Sequence, residues 1–202
     1  MPRPVLFVDF DGTLCEQRYW RSLPNGQYEH IQRDLFGGDR TLVDAWMLGE
    51  YTAEEINRRV AETYGIPYEE LWSIFVKDCE TMTISPAVLE KLRVLRNSYT
   101  TILMTVNMDS FSRFTVPALE LDRHFDHISN SWEEKLHKSD DDGALFLRYA
   151  DRLKTDMQSC VLIDDSPSNC EQFEKLGGKA YLVTPETGVE EYLERLSDHL
   201  FV

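Results

Sequence analysis

The chain has 202 residues, 42% of them hydrophobic, and sets 36 Asp and Glu against 21 Lys and Arg for a net charge of −15. The hydrophobic fraction supplies a real core and excludes a disordered tail. The acidic balance argues against a nucleic-acid backbone as the main partner, because that ligand requires a cationic face.

The first predicted element is VLFVDF, residues 5–10, almost continuously apolar until it meets Asp9 and Asp11 in VLFVDFDGTL. Further β-rich runs follow at 100–106, 126–129, 159–165 and 179–184. Such apolar runs fit strands buried on both faces of a parallel sheet. Residues 15–84 contain no convincing strand and read as helices. TLVDAWML over 41–48 is one; Thr52 and Glu55 form a capping box opening the next, which Gly65 stops; and Pro67 precedes YEELWSIFVKDCE, with Leu71, Phe75 and Cys79 at intervals of four. Ser85-Pro86 starts a helix as N-cap and first residue, with Val88, Leu89, Leu92 and Leu95 on one stripe. Helical patterns recur over 143–154, in NCEQFEKLGG and in the closing VEEYLERLSDHL.

Strand and helix alternation predicts an α/β fold, a doubly wound and mainly parallel sheet, from residues 1–14 and 85–202. Residues 15–84 form an inserted helical cap in this reading, too long for a simple crossover. The cysteines, Cys15, Cys79, Cys160 and Cys170, make no CxxC pair, so neither a structural zinc site nor a disulfide framework is expected. MPRPV lacks a signal layout, and no apolar run approaches the ~20 residues of a membrane helix. The expectation is a cytoplasmic protein with no membrane partner.

In open α/β sheets, ligands bind beyond the carboxyl ends of the strands. Those ends carry Asp9 and Asp11, then Thr105 and Asn107, then Asp164 and Asp165. Acid pairs on adjacent strands repel strongly unless a cation intervenes. Carboxylate and carbonyl oxygens suit Mg²⁺.

DFDGTL, Thr105 after an apolar strand, a lysine within 135–138 and VLIDDSPSN resemble the four motifs of the haloacid dehalogenase-like (HAD) superfamily. The resemblance spans residues 4–14 and 85–185, and it implies a Rossmann-like core with a helical cap after the first motif. It further implies Asp9 as a nucleophile forming an aspartyl-phosphate, and Asp11 as general acid and base. Thr105, Gly12, Asn107 and a lysine are assigned by it to phosphate binding. Lys138 is favoured over Lys135, because it directly precedes a helix, although Lys138-Ser139 stands where the family has Lys-Pro. The metal set is Asp9, Asp11 through its backbone carbonyl, Asp165 directly, and Asp164 directly or through water. Asp140, Asp141 and Asp142 read as a helix-start cluster.

Family dehalogenases lack an acid at the position of Asp11, since halide leaves without a proton whereas an alkoxide needs one. The expectation is therefore a Mg²⁺-dependent phosphatase acting on a small phosphorylated metabolite. A phosphomutase and a catalytically silent binding protein are the alternatives. Arg18, Trp20 and Arg21 lie where they could face the site, while the many aromatics of 15–84 read as bundle core.

Overall fold

The computed structural model describes residues 3–198. Its centre is a parallel sheet of β1 (Val5–Val8), β2 (Thr100–Thr105), β3 (His127–Asn130), β4 (Cys160–Asp164) and β5 (Lys179–Leu182), in the order β3-β2-β1-β4-β5. The five strands fall where the apolar runs predict them. Val8 pairs with Leu103 on one side and Ile163 on the other, so β1 is central and buried along its whole length.

Side chains alternate between faces along a strand, and this divides the core in two. Val5, Phe7, Ile102, Met104 and Leu162 pack under α8 (Ala144–Arg152) and α9 (Pro167–Lys175). Phe7 meets Phe146 and Phe173 edge to face, at centroid distances of 5.4 and 5.7 Å. Leu6, Val8, Leu103 and Ile163 face the other way, toward α5 (Pro86–Leu95) and α10 (Val189–Asp198). Within the predicted final helix, residues 199 and 200 lie outside the described residues. Ser85 makes no side-chain cap bond, contrary to expectation; Pro86, with its φ already helical, is what begins α5.

The stretch between β1 and α5 holds α1 (Gln27–Ile31), α2 (Thr41–Met47), α3 (Ala53–Tyr64) and α4 (Tyr68–Glu80). The Thr52–Glu55 capping box is present, and α3 ends on left-handed Gly65. A short segment the sequence reading left unassigned continues α1 as a π-type turn, Gln32–Phe36. Tyr19, Trp20, Trp46 and Phe75 are buried together, as bundle core. This apolar cluster runs without a break into the one under Leu6 and Val8. The helical insert therefore shares its core with the sheet.

Polar ties fix the same junction. Buried Asp109, just past β2, accepts from the Trp46 indole at 2.9 Å and the Ala53 amide at 3.1 Å. Arg113 bridges Asp109 and Glu54, both at 2.8 Å. Trp132, in α7 (Ser131–Glu134), which follows the single turn α6 (Val116–Ala118), donates its indole N–H to the Tyr51 carbonyl at 2.9 Å. Replacing Asp109 by Ala leaves buried donors without an acceptor, each costing about 1–3 kcal/mol. We expect Asp109→Ala to lower unfolding free energy by about 2–4 kcal/mol in urea titrations, well beyond an exposed-site control such as Arg93→Ala.

Candidate active site

The sheet order places β2 and β3 to one side of β1 and β4 and β5 to the other. A crevice opens beyond the strand ends where such connections diverge. The Asp9 amide continues the ladder by donating to the Ile163 carbonyl at 2.9 Å. The chain then turns sharply, with the amides of Leu14 and Cys15 both directed at the Phe10 carbonyl. Gly12 adopts φ +76° here, and a Cβ at this position would stand 2.1 Å from Asp165 Oδ2. The left-handed backbone favours glycine, and the missing Cβ leaves the Asp165 carboxylate its present place.

Buried Lys138 reaches the end of β1 from the loop before α8. Its Nζ stands 2.5 Å from Asp9 Oδ1 and 2.6 Å from Asp164 Oδ2. Lys135 lies elsewhere, donating to the Gly49 carbonyl at 3.2 Å and stacking over Trp132. Asp164 also accepts from the Ser166 amide at 2.9 Å and from Asn169 Nδ2 at 3.1 Å. Asp165 is exposed and accepts no hydrogen bond from another of the described residues. Asp11 is held by Asn107 Nδ2 at 2.6 Å and by Arg18 at 3.2 Å. Asn107 thus orients Asp11 in this structure, its amide being spent on that carboxylate. Thr105 is buried, with no partner for its hydroxyl among the described residues.

Of the remaining sequence expectations, Arg18 faces the cavity but Arg21 does not. Arg21 turns to the Asp78 carbonyl at 2.7 Å and Thr81 at 2.8 Å, because buried Asp78 and the end of α4 offer it acceptors. Trp20 is also turned inward, donating to Asn57 at 3.0 Å. Asp140–Asp142 form a tight turn ahead of α8, where Asp140 accepts from the His137 amide at 2.9 Å.

The cavity over these residues measures about 450 Å³. Its lining also includes Gln32, Phe36 and Arg40 from the helical stretch, which the sequence does not mark. No motif marks them, and the π-type turn that presents Gln32 and Phe36 lacks a periodic signature.

Burial, opposed by Lys138, pushes the Asp9 carboxyl well above the usual carboxylate range. Burial works against the Lys138 charge, yet Asp164 and Asp9 outweigh it and hold the lysine protonated beyond its ordinary value. Asp11 rises from 3.8 to about 6, mainly through burial, with Arg18 pulling the other way. Asp165, although its surface stays open to solvent, is raised by partial enclosure at the mouth of the crevice and by the charge of Asp164. Among the described residues, these four carboxylates form ion pairs with Lys138 and Arg18 alone, a formal surplus of two negative charges. Asp9, Asp164 and Asp165 offer oxygens within 4.8 Å of one another. A hard divalent cation such as Mg²⁺ fits both the charge and the all-oxygen donor set.

A family model described as haloacid dehalogenase-like hydrolase matches residues 4–177. The chain belongs to this HAD-like family. No curated protein matches it. Among solved structures, the HAD family enzyme bt-2542 of Bacteroides thetaiotaomicron aligns over 100% of both chains, with TM-score 0.73 and 18% identity. A structure of that enzyme with magnesium and inorganic phosphate covers 90% of this chain and 94% of its own, at TM-score 0.68 and 18% identity. The 2-haloacid dehalogenase of Pseudomonas syringae pv. Tomato DC3000 covers 98% and 99% respectively, at TM-score 0.65 and 19% identity. At these identities the likeness speaks for the shared HAD fold.

Two outcomes follow from the charge arrangement. The folded chain holds the Asp11 proton more tightly than the unfolded one, so metal-free stability falls as pH rises from 3.8 to about 6. Melting in a chelating buffer should show this slope, Asp11→Asn should flatten it, and Mg²⁺ should raise the melting temperature more above the window than below. Lys138→Met leaves Asp9 and Asp164 as adjacent buried carboxylates. It should cost about 3–5 kcal/mol in metal-free denaturation, recovered in part by acid.

Proposed function

We propose that this HAD-like hydrolase is a Mg²⁺-dependent phosphatase that cleaves a small phosphomonoester through an aspartyl-phosphate. The observation that carries the reading is Asp11, a carboxyl raised to about 6 and held by Asn107 beside Asp9. A group that binds its proton near neutrality is suited to give and retrieve one.

In the first step, an Asp9 carboxylate oxygen attacks phosphorus as the ester P–O bond breaks. Asp11 gives its proton to the departing alkoxide, releasing an alcohol. In the second step, Asp11 takes a proton from water, whose oxygen attacks phosphorus. The bond to Asp9 then breaks and inorganic phosphate leaves. Lys138 aims the Asp9 carboxylate and offsets charge that develops nearby. The unpartnered Thr105 hydroxyl supplies a donor for a phosphoryl oxygen. Asp9, Asp165 and the Asp11 carbonyl, with Asp164 beside them, would hold Mg²⁺, which stabilises negative charge on the phosphoryl oxygens.

The acid also separates this chemistry from halide displacement, for which no proton donor to the leaving group is needed. The cavity of about 450 Å³ suits a small metabolite. The described helices include none long and apolar enough to cross a membrane.

A panel of phosphomonoesters assayed with Mg²⁺ should release inorganic phosphate, while 2-chloropropionate should yield no chloride. Asp9→Asn should abolish turnover, and Asp11→Asn should slow it by about 10²–10⁴. Chloride release, or isomerisation of a hexose phosphate without free phosphate, would sink the assignment.

A further inference from the structure

The strap that leads from the β1 turn into the helical insert carries an arginine whose placement the proposed reaction does not use. Arg18 donates from Nη1 to the carbonyls of Gln17 at 3.1 Å and Cys15 at 3.3 Å, and the same nitrogen stands 3.2 Å from Asp11 Oδ1 as an ion pair. The base of this side chain is itself fixed. The Cys15 carbonyl also accepts from the Gly12 amide at 2.9 Å, closing the turn that carries Asp11. Gln17 Oε1 accepts from the Thr83 amide at 2.8 Å and from the Thr83 hydroxyl at 3.1 Å, which fastens the strap to the segment leaving the insert. Among the described residues, Asp11 is the acid with which Arg18 pairs. Both side chains are about a third open to solvent, and an ion pair that exposed adds little to stability. Stability therefore does not account for three contacts converging on one nitrogen at the rim of the cavity.

Asp11 is engaged at both of its oxygens. Asn107, buried just past β2, donates to Oδ2 at 2.6 Å, while Arg18 faces Oδ1 from the strap. A single contact leaves a carboxyl free to turn about its Cβ–Cγ bond, whereas a second one on the other oxygen fixes its plane. We propose that Arg18 is a positioning residue that, together with Asn107, fixes the plane of the Asp11 carboxyl for proton transfer to the leaving group. This deepens the phosphatase reading and rests on it. Arg18 acts through Asp11 and does not itself bind the ester. Its contribution is alignment, on which proton transfer depends steeply.

The test uses two ester classes that differ in their need for a proton. An alkoxide leaves only when protonated, whereas 4-nitrophenolate leaves as the anion. The alkyl probe is whichever of glycerol 3-phosphate and ethyl phosphate the wild-type chain cleaves faster, and the aryl probe is 4-nitrophenyl phosphate, both with Mg²⁺. Arg18→Met should lower kcat/KM for the alkyl ester by about 10–100-fold and for the aryl ester by less than about threefold. Arg18→Lys should recover part of the alkyl-ester rate, and Arg123→Met, outside the cavity, should change neither. In an Asp11→Asn background no carboxylic acid is left to align, so Arg18→Met should cost nothing further. Arg18→Gln takes the place of Arg18→Met if the latter lacks a cooperative melting transition. Equal losses on the two esters, a loss undiminished in the Asp11→Asn background, or no loss on the alkyl ester would each overturn the positioning role and leave the phosphatase reading standing. Cleavage of 4-nitrophenyl phosphate but of neither alkyl ester would overturn it too, since Asp11 then protonates no leaving group. No phosphate release from any ester would overturn the phosphatase reading and the positioning role with it.

Discussion

The site depends on one buried ammonium. Lys138 Nζ lies between Asp9 and Asp164, at 2.5 and 2.6 Å. These carboxylates end adjacent strands whose register sets Val8 beside Ile163, so the sheet itself forces them together. Without a cation, the same β1–β4 pairing that buries the apolar core would concentrate negative charge at its mouth. Desolvation makes that lysine costly to bury, and paired carboxylates on both sides are what make it tolerable. The two acids and the lysine stabilise one another only as a set.

That constraint explains the division of labour around the crevice. Asp164 is enclosed by Lys138, the Ser166 amide and Asn169, and so serves to hold the lysine. Asp165 is open beside Gly12, whose missing Cβ leaves room for its carboxylate. In our reading this leaves Asp165 as the more available metal ligand. Asp11 stands apart from the lysine, tied to Asn107 and Arg18, and its raised proton affinity belongs to the proton-transfer role proposed for it. The helical insert closes the space above. Because its aromatic core is continuous with the apolar cluster under β1, and Asp109 anchors it through Trp46 and Ala53, it forms a well-seated wall.

Much of the frame was legible in the sequence, for physical reasons that differ by element. The strands were visible because parallel strands buried on both faces read as unbroken apolar runs. The capping box at Thr52 and Glu55 was visible because it satisfies specific amides with specific residue types. The acids were visible because charge at the end of an apolar strand demands an explanation, and Lys138 because it precedes a helix at the right remove. Asn107 was singled out for phosphate, yet its amide is committed to Asp11, a pairing across 96 positions that no local pattern encodes. The sequence leaves Arg21 free to face the site for a similar reason, since its acceptors at the end of α4 become neighbours only through packing. The cavity lining from the helical stretch was illegible altogether, because a π-type turn has neither the 3.6-residue period nor a capping signature.

The central claim is that Asp9, aligned by Lys138, becomes covalently phosphorylated during turnover. Acid quenching during steady hydrolysis of a good phosphomonoester, followed by peptide mass spectrometry, tests it directly. The account predicts one phosphoryl group on the peptide containing Asp9, absent in Asp9→Asn and absent without Mg²⁺. Turnover with no phosphoryl adduct on that peptide, or with the adduct on another side chain, would contradict it.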